Sequence, residues 1–238
     1  MTLNSPLAKA RLLACASVAA LLVSSGLALA ADVTGQRIAA ADSEPQNWLS
    51  NHRDYNGQRY SPLDEINKGN VKGLKLAYSV VLNNNAPNYT ESTPLAEDGY
   101  LYLTDTWGVV YKIDATAGNV GRIVWTMDPG QEKPSIANRG VALVGDMVVS
   151  VANLPARLIA SSKETGEVIW EQNITGDTPR VEMTAAPLLV KDKIIVAAAG
   201  GDAGSRSWMA AFNPADGAEI WRAYSIPAPG EPGSETWG

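Results

Sequence analysis

MTAAPLLVKDKIIVAAAGGDAGSRSWMAAFNPADGAEIW, residues 183–221, decides the fold. Residues 186–190 form one apolar run, Asp192-Lys193 turns it, and residues 193–198 form a second. The glycine-rich segment 200–204 breaks the chain. Residues 207–212 follow, then the turn Asn213-Pro214-Ala215-Asp216-Gly217, then residues 219–224 with Trp221 among them. Short runs bounded by Gly, Pro, Asn and Asp read as strands, because those residues supply the dihedrals that turns require. The stretch predicts three strands and the start of a fourth.

The same pattern occurs twice upstream. Pro94-Leu95-Ala96-Glu97-Asp98-Gly99 leads into residues 100–104, then 109–114, then Gly121-Arg122-Ile123-Val124-Trp125. Residues 141–144, Gly145-Asp146 and residues 147–151 lead into 157–161 and then Gly166-Glu167-Val168-Ile169-Trp170. Gly121, Gly166 and Gly217 each stand four residues before a Trp, and consecutive Trp residues are roughly 45–50 residues apart, a period that with four strands per unit signifies a β-propeller. A blade cannot bury both faces alone, and a Trp at a fixed place suits wedging between neighbours. Three unrelated core tryptophans would have no reason to share the glycine spacing. The expected class is all-β, with largely buried Trp125, Trp170 and Trp221 at equivalent places.

Residues 1–30 read as a signal peptide. Lys9 and Arg11 start it, residues 12–29 are mostly apolar, and Ala28-Leu29-Ala30 forms a small-residue cleavage site. Ser17, Ser24, Ser25 and Gly26 dilute the apolar run, which argues against a retained membrane span. Cys15 follows Leu12-Leu13-Ala14 as a lipidation site would, but little apolar sequence precedes it. The mature chain is expected in a bacterial periplasm. Cys15 is the single cysteine, so the mature chain has no C-x-x-C-H site for covalent haem. The net charge is −6 with no basic stripe, which excludes a phosphate-tracking nucleic-acid surface.

Residues 31–74 read as an N-terminal arm with a short helix, and 75–238 as propeller blades. In the arm, Ser61-Pro62-Leu63-Asp64 has the form of a helix start, cut short by Gly69 and Gly73. Residues 75–82 read as a strand with Tyr78 near the place of a blade-ending Trp. His52, the single histidine, reads as a hydrogen-bonding residue rather than a base. At the observed period the mature chain holds about four blades, and the turn-rich residues 227–238 do not form a closing strand. The chain is expected to be truncated.

Five segments, taken in order within these blades, carry a resemblance. They are Asn51-His52-Arg53 through Arg59-Tyr60-Ser61-Pro62-Leu63, Glu91-Ser92-Thr93-Pro94, Asn138-Arg139-Gly140-Val141-Ala142-Leu143, Thr184-Ala185-Ala186-Pro187, and Gly201-Asp202 ahead of Arg206. Over most of residues 46–238 the chain resembles the N-terminal part of the quinoprotein alcohol dehydrogenases, which use pyrroloquinoline quinone. The family's propeller has eight blades, so the chain corresponds to about half of one. The resemblance implies that Glu91 hydrogen-bonds the quinone's edge and that Arg139 reaches its reactive oxygens, where a fixed guanidinium stabilises developing negative charge. Thr184 matches a hydroxyl donor, Ala185 and Ala186 a small close-approach segment, and Asn153 replaces a cofactor-contacting threonine. Asp202 matches a glutamate ligand to calcium, an oxygen donor suited to a hard cation, with a lanthanide not excluded. The family's adjacent cysteines over the quinone are replaced by Lys133 and Pro134. The catalytic base is expected beyond Gly238.

Alcohol oxidation is thus the leading expectation: hydride passes from a small alcohol to the quinone, a cation acts as Lewis acid, and a c-type cytochrome takes the electrons. The chain alone is expected to be poorly active or inactive. The alternative is a non-catalytic propeller scaffold of the cell envelope, which has no need of both Arg139 and Asp202 in its turns. A nucleotide-binding reading of Gly200-Gly201-Asp202-Ala203-Gly204 fails, because that fingerprint needs a following helix and here a strand with Trp208 follows.

Overall fold

Each repeat folds as an antiparallel meander of four strands in the computed structural model, which describes residues 32–82, 90–131, 137–176 and 180–236. The first sheet contains β1 (Leu95–Glu97), β2 (Tyr100–Thr104), β3 (Val110–Asp114) and β4 (Arg122–Met127). The second contains β5 (Ala142–Val144), β6 (Met147–Ala152), β7 (Arg157–Ser162) and β8 (Val168–Asn173). The third contains β9 (Leu188–Val190), β10 (Lys193–Ala197), β11 (Trp208–Phe212) and β12 (Glu219–Tyr224). Within each sheet, strands neighbour one another in sequence order, as residues in short hairpins must.

The repeats share their irregularities as well as their strands. The first hairpin of each sheet closes in two residues, and the first of these has positive φ: Asp98, Gly145 and Lys191. Such turns match the twist of the strands they join. The third hairpin is therefore closed by Lys191-Asp192, one residue earlier than the sequence suggested. Each last pair carries a register shift, between Lys112 and Ile113, Ala160 and Ser161, and Ala211 and Phe212. At that shift Trp125, Trp170 and Trp221 oppose Lys112, Ala160 and Ala211. The tryptophans are equivalent.

Their burial departs from expectation. Trp125 and Trp170 are half-buried, and Trp221 is 42% exposed. Trp125 lies over Gly166 of the next repeat and donates its indole N–H to the Lys163 carbonyl at 3.1 Å. Trp170 lies over Gly217 and donates to the Pro214 carbonyl at 3.0 Å. A Cβ on Gly166 or Gly217 would sit 2.8 or 2.6 Å from the indole, and both glycines have positive φ. The spacing seen in sequence is thus a contact between successive sheets.

One continuous core joins the three sheets to the arm, with Val33, Ile38 and Leu49 packed among Leu143, Val149, Leu158, Ile194 and Trp208. The arm runs across all three sheets. Val33 pairs with Gly145, Trp48 pairs with Ala96, and the Tyr55 hydroxyl donates to the Leu189 carbonyl at 2.7 Å. Its one α-helix, α1 (Gly35–Ala39), is capped by the Thr34 hydroxyl, which accepts from the Arg37 N–H. Arg37 pairs with Glu44 and with buried Glu97, and Lys163 of the second sheet meets Glu97 at 2.7 Å. Two basic side chains from different elements thus compensate one buried carboxylate.

Two expected elements are absent. No helix starts at Ser61. Asn67 and Asn70 side chains take the local backbone groups instead: Asn70 accepts from the Asn67 N–H and donates to the Glu65 carbonyl, and Asn67 accepts from the Gly69 N–H and donates to the Asp64 carbonyl. Such bonds compete with helix formation. Residues 75–82 are extended without a ladder partner among the described residues. Tyr78 nonetheless lies over Gly121, its ring 2.5 Å from where a Cβ would be, which is the relation Trp125 has to Gly166. Among the described residues no helix is long and apolar enough to cross a membrane. Residues 1–30, Lys133 and Pro134 lie outside the described residues.

Candidate functional site

In a meander, successive turns alternate between the two ends of a sheet. The connections into β1, β5 and β9 therefore emerge at the same end as the β2–β3, β6–β7 and β10–β11 turns. The sequence-nominated residues all fall at that end: Glu91, Arg139, Thr184, Ala185 and Ala186 in the connections, Asn153 and Asp202 in the turns.

Three of these connections are tied together. Arg139 meets the Glu91 carboxylate at 2.9 Å and donates to the Thr184 carbonyl at 3.3 Å. Its backbone N–H also donates to Thr184, and its carbonyl accepts from the Thr93 N–H. Gly140, with φ of +118°, lets this backbone approach Thr93, whose carbonyl would lie 3.3 Å from an added Cβ. Beneath it, buried Asn138 accepts from the Thr104 hydroxyl and the Gly140 N–H, and donates to the Val151 carbonyl. Asn138 fixes the turn that aims Arg139. It was visible only as part of the resemblance, because nothing in its residue type distinguishes an anchor from a surface asparagine.

Around this knot is a pocket of about 500 Å³, lined by Glu91, Thr93, Arg139, Ala185, Ala186 and Pro187, with Asn51, His52 and Arg59 closing it from the arm. The last three had no site role in the sequence. Arg139 and Glu91 are about half exposed, with side-chain accessibilities of 48% and 45%. They are free to exchange their mutual contact for a ligand. A larger groove of about 970 Å³ lies at the opposite end, lined chiefly by apolar side chains including Val33, Tyr55, Val144, Met147 and Leu189. Asp32, Lys191 and Asp192 also line it, but none of the residues nominated from the sequence does, so the smaller pocket is the candidate site.

Asn153 and Asp202 stand apart from that lining. Buried Asn153 donates to the Met183 carbonyl and accepts from the Met183 N–H at 2.6 Å, so its amide positions the strand end before Thr184. Asp202 is exposed on the 3₁₀ turn Gly201–Ala203, between Gly200 and Gly204 in left-handed conformations. That turn is anchored by the Glu182–Ala199 bridge, two residues from Thr184. Asp105, another acid at this end, accepts from the Trp107 and Val109 N–H groups and the Tyr111 hydroxyl. Burial pushes its carboxyl above the usual range, and its bonds assign it to holding the turn.

The donor set suits an oxygen-rich planar ligand: a guanidinium for negative oxygens, a carboxylate for an edge N–H, and small Ala185 and Ala186 where a ring can come close. It does not by itself make a cation site. Among the described residues no three His, Cys, Asp or Glu side chains group as metal ligands, and Asp202 is one acid where calcium takes about six to eight oxygens.

Residues 48–238 match the family described as glucose/ethanol/alcohol dehydrogenase, beta-propeller domain, of the pyrroloquinoline quinone type. The chain belongs to the pyrroloquinoline quinone-dependent alcohol dehydrogenase family. It is 39% identical over 225 residues to quinohemoprotein alcohol dehydrogenase ADH-IIG of Pseudomonas putida, covering 89% of this chain and 30% of that protein. It is 34% identical to quinoprotein alcohol dehydrogenase PedH of Pseudomonas putida, covering 86% and 35%. The crystal structure of ADH-IIG superposes with a TM-score of 0.76 at 37% identity, over 84% of this chain and 29% of that one. A europium-containing methanol dehydrogenase gives 0.71 at 28% identity, over 81% and 34%. The chain thus spans about a third of the length of these relatives, and its sheets are β-propeller blades.

Proposed function

We propose that this chain forms the part of a periplasmic alcohol-oxidising quinoprotein that grips one edge of pyrroloquinoline quinone. The observation that carries the reading is the convergence of three connections on one pocket: Glu91, Arg139 and Ala185-Ala186 line it, and the Thr184 carbonyl holds Arg139. Arg139, held by Glu91 and the Thr184 carbonyl, would offer its guanidinium to the quinone oxygens, where a fixed cation stabilises developing negative charge. Glu91 orients the guanidinium and accepts from the ligand's edge. Thr184 offers its hydroxyl beside the carbonyl that holds Arg139. Ala185 and Ala186 keep this wall flat. When bound, the quinone supplies the two-electron acceptor for a hydride from the alcohol carbon.

Asp202 contributes one carboxylate to a hard cation, calcium or a lanthanide, whose remaining ligands come from outside the described residues. A base for the alcohol proton is likewise supplied from elsewhere. A haem that takes the electrons would also come from outside the described residues, in keeping with relatives named quinohemoproteins.

The test is quinone binding by the purified chain, read from quenching of its tryptophan fluorescence with calcium or a lanthanide present. Arg139→Ala is expected to weaken binding by about tenfold or more, as loss of a charge-assisted contact does. Equal affinity in both proteins would overturn the assignment.

A further inference from the structure

The arm contributes an arginine whose charge is answered differently from its neighbours'. Arg37 pairs with Glu44 and Glu97, Arg53 with Asp42, and Arg139 with Glu91. Arg59 lines the same pocket as Arg139, yet its partners among the described residues are neutral. Its Nε donates to His52 Nδ1 at 3.0 Å and its Nη2 to Asn51 Oδ1 at 3.2 Å. Arg59 also has a φ of +54°, a left-handed conformation uncommon for a side chain of this size. Two acceptors and an unusual backbone therefore hold a guanidinium at the pocket wall, with the rest of its donor fork open.

Charge adds a second argument. Among the described residues Arg59 and Arg139 are the lining cations and Glu91 is the lining carboxylate, so these groups leave an excess of positive charge. A neutral ligand would leave it unbalanced; a carboxylate would balance it. We propose that Arg59 is a second anion contact of this pocket, taking a carboxylate of the quinone from the arm side. The proposal rests on the quinone-binding reading above and extends it: the N-terminal arm is part of the cofactor site as well as a brace across the sheets. His52 and Asn51 are positioning residues that aim the guanidinium.

The experiment compares two ligands on the purified chain: pyrroloquinoline quinone, and its trimethyl ester, which keeps the rings and loses the carboxylate charges. Arg59→Gln is expected to weaken binding of the free acid by about three- to tenfold, the range for an exposed charge-assisted contact, and to leave the ester unchanged. Arg59→Lys should recover part of the loss, because the charge returns without the planar fork. Added salt should shrink the difference. Unchanged affinity of Arg59→Gln for the free acid, with Arg139→Ala still weak, would overturn this assignment alone. An equal loss for acid and ester in both Arg59 variants would overturn it too, in favour of a purely bracing arm. Failure of the wild-type chain to bind either ligand would overturn the parent reading and this one together.

Discussion

Leu158 and Met209 occupy the same position in successive repeats, two residues before the register shift at Ala160 and Ala211. Leu158 is 0% exposed and Met209 is 49% exposed. The second sheet explains the first value. Its strands β5, β6 and β7 are buried almost throughout, both faces included, because sheets cover it on either side. In the third sheet β10 alternates between buried and half-buried residues, while the outer strands β8 and β12 are largely exposed in both sheets. Trp170 has the Gly217 turn to lie on, whereas Trp221 is exposed. The repeat encodes a place for each side chain, and the neighbouring sheet decides whether that place is inside. Where no neighbouring sheet lies among the described residues, the same residue types stay exposed.

The contrast is tested most sharply by truncation at the shared position. Leu158→Ala is expected to cost about 2–5 kcal/mol, as buried large-to-small changes do, while Met209→Ala stays within about 0.5 kcal/mol. Urea unfolding of both proteins measures this, and equal losses would mean that the Met209 face is covered in solution.

The next largest effect concerns the tryptophans. Trp170→Ala should cost about 2 kcal/mol, less than a fully buried ring because Trp170 is half-buried, and Trp221→Ala about 0.5 kcal/mol. A thermal melt in which the two variants coincide would break the comparison.

Gly217→Ala probes the same contact from the other side. Its methyl would meet the Trp170 ring at a positive φ, at a cost of about 1–2 kcal/mol. Gly230→Ala also has positive φ but nothing within 4 Å, so the difference between the two variants isolates the ring contact from the backbone strain.

The smallest effect is a pH dependence at the interface of the first two sheets. Lys112 donates to the Lys163 carbonyl at 2.8 Å and lies over the Tyr100 ring. Burial, reinforced by the charge of Lys163, holds its ammonium below the ordinary lysine range. Between that lowered value and the unfolded value of about 10.4 the unfolded chain binds more protons, so stability rises with pH across this window. Lys112→Met should abolish that rise. Denaturant midpoints collected from neutral to alkaline pH give the slope; a wild-type slope that persists in the variant would assign it to another group.

Most of the fold was legible because it is written locally. Runs of strand formers, turn residues and the Gly-to-Trp spacing set β2–β4, β6, β7 and β10–β12 to within a residue or two, and β8 runs three residues past the Trp170 at which the pattern ended. The misreadings have local causes as well. At residues 61–70 a plausible helix cap lost to asparagine side chains that bond their own backbone. Residues 75–82 had a strand's alternation, but a ladder needs a second strand, and alternation cannot say whether one is present.

The site divides along the same line. The family resemblance nominated Glu91, Arg139 and Thr184, and the chemistry of each side chain fitted the role it implied. Only the tertiary structure could bring the three connections to one pocket, divert Asn153 to the Met183 backbone, and place Asn51, His52 and Arg59 in the same pocket wall as Arg139 from some 80 residues upstream. Strand periodicity acts over a few residues and is read directly from sequence. Which charge meets which across three blades depends on how whole sheets stack, and no stretch of the chain holds that information alone.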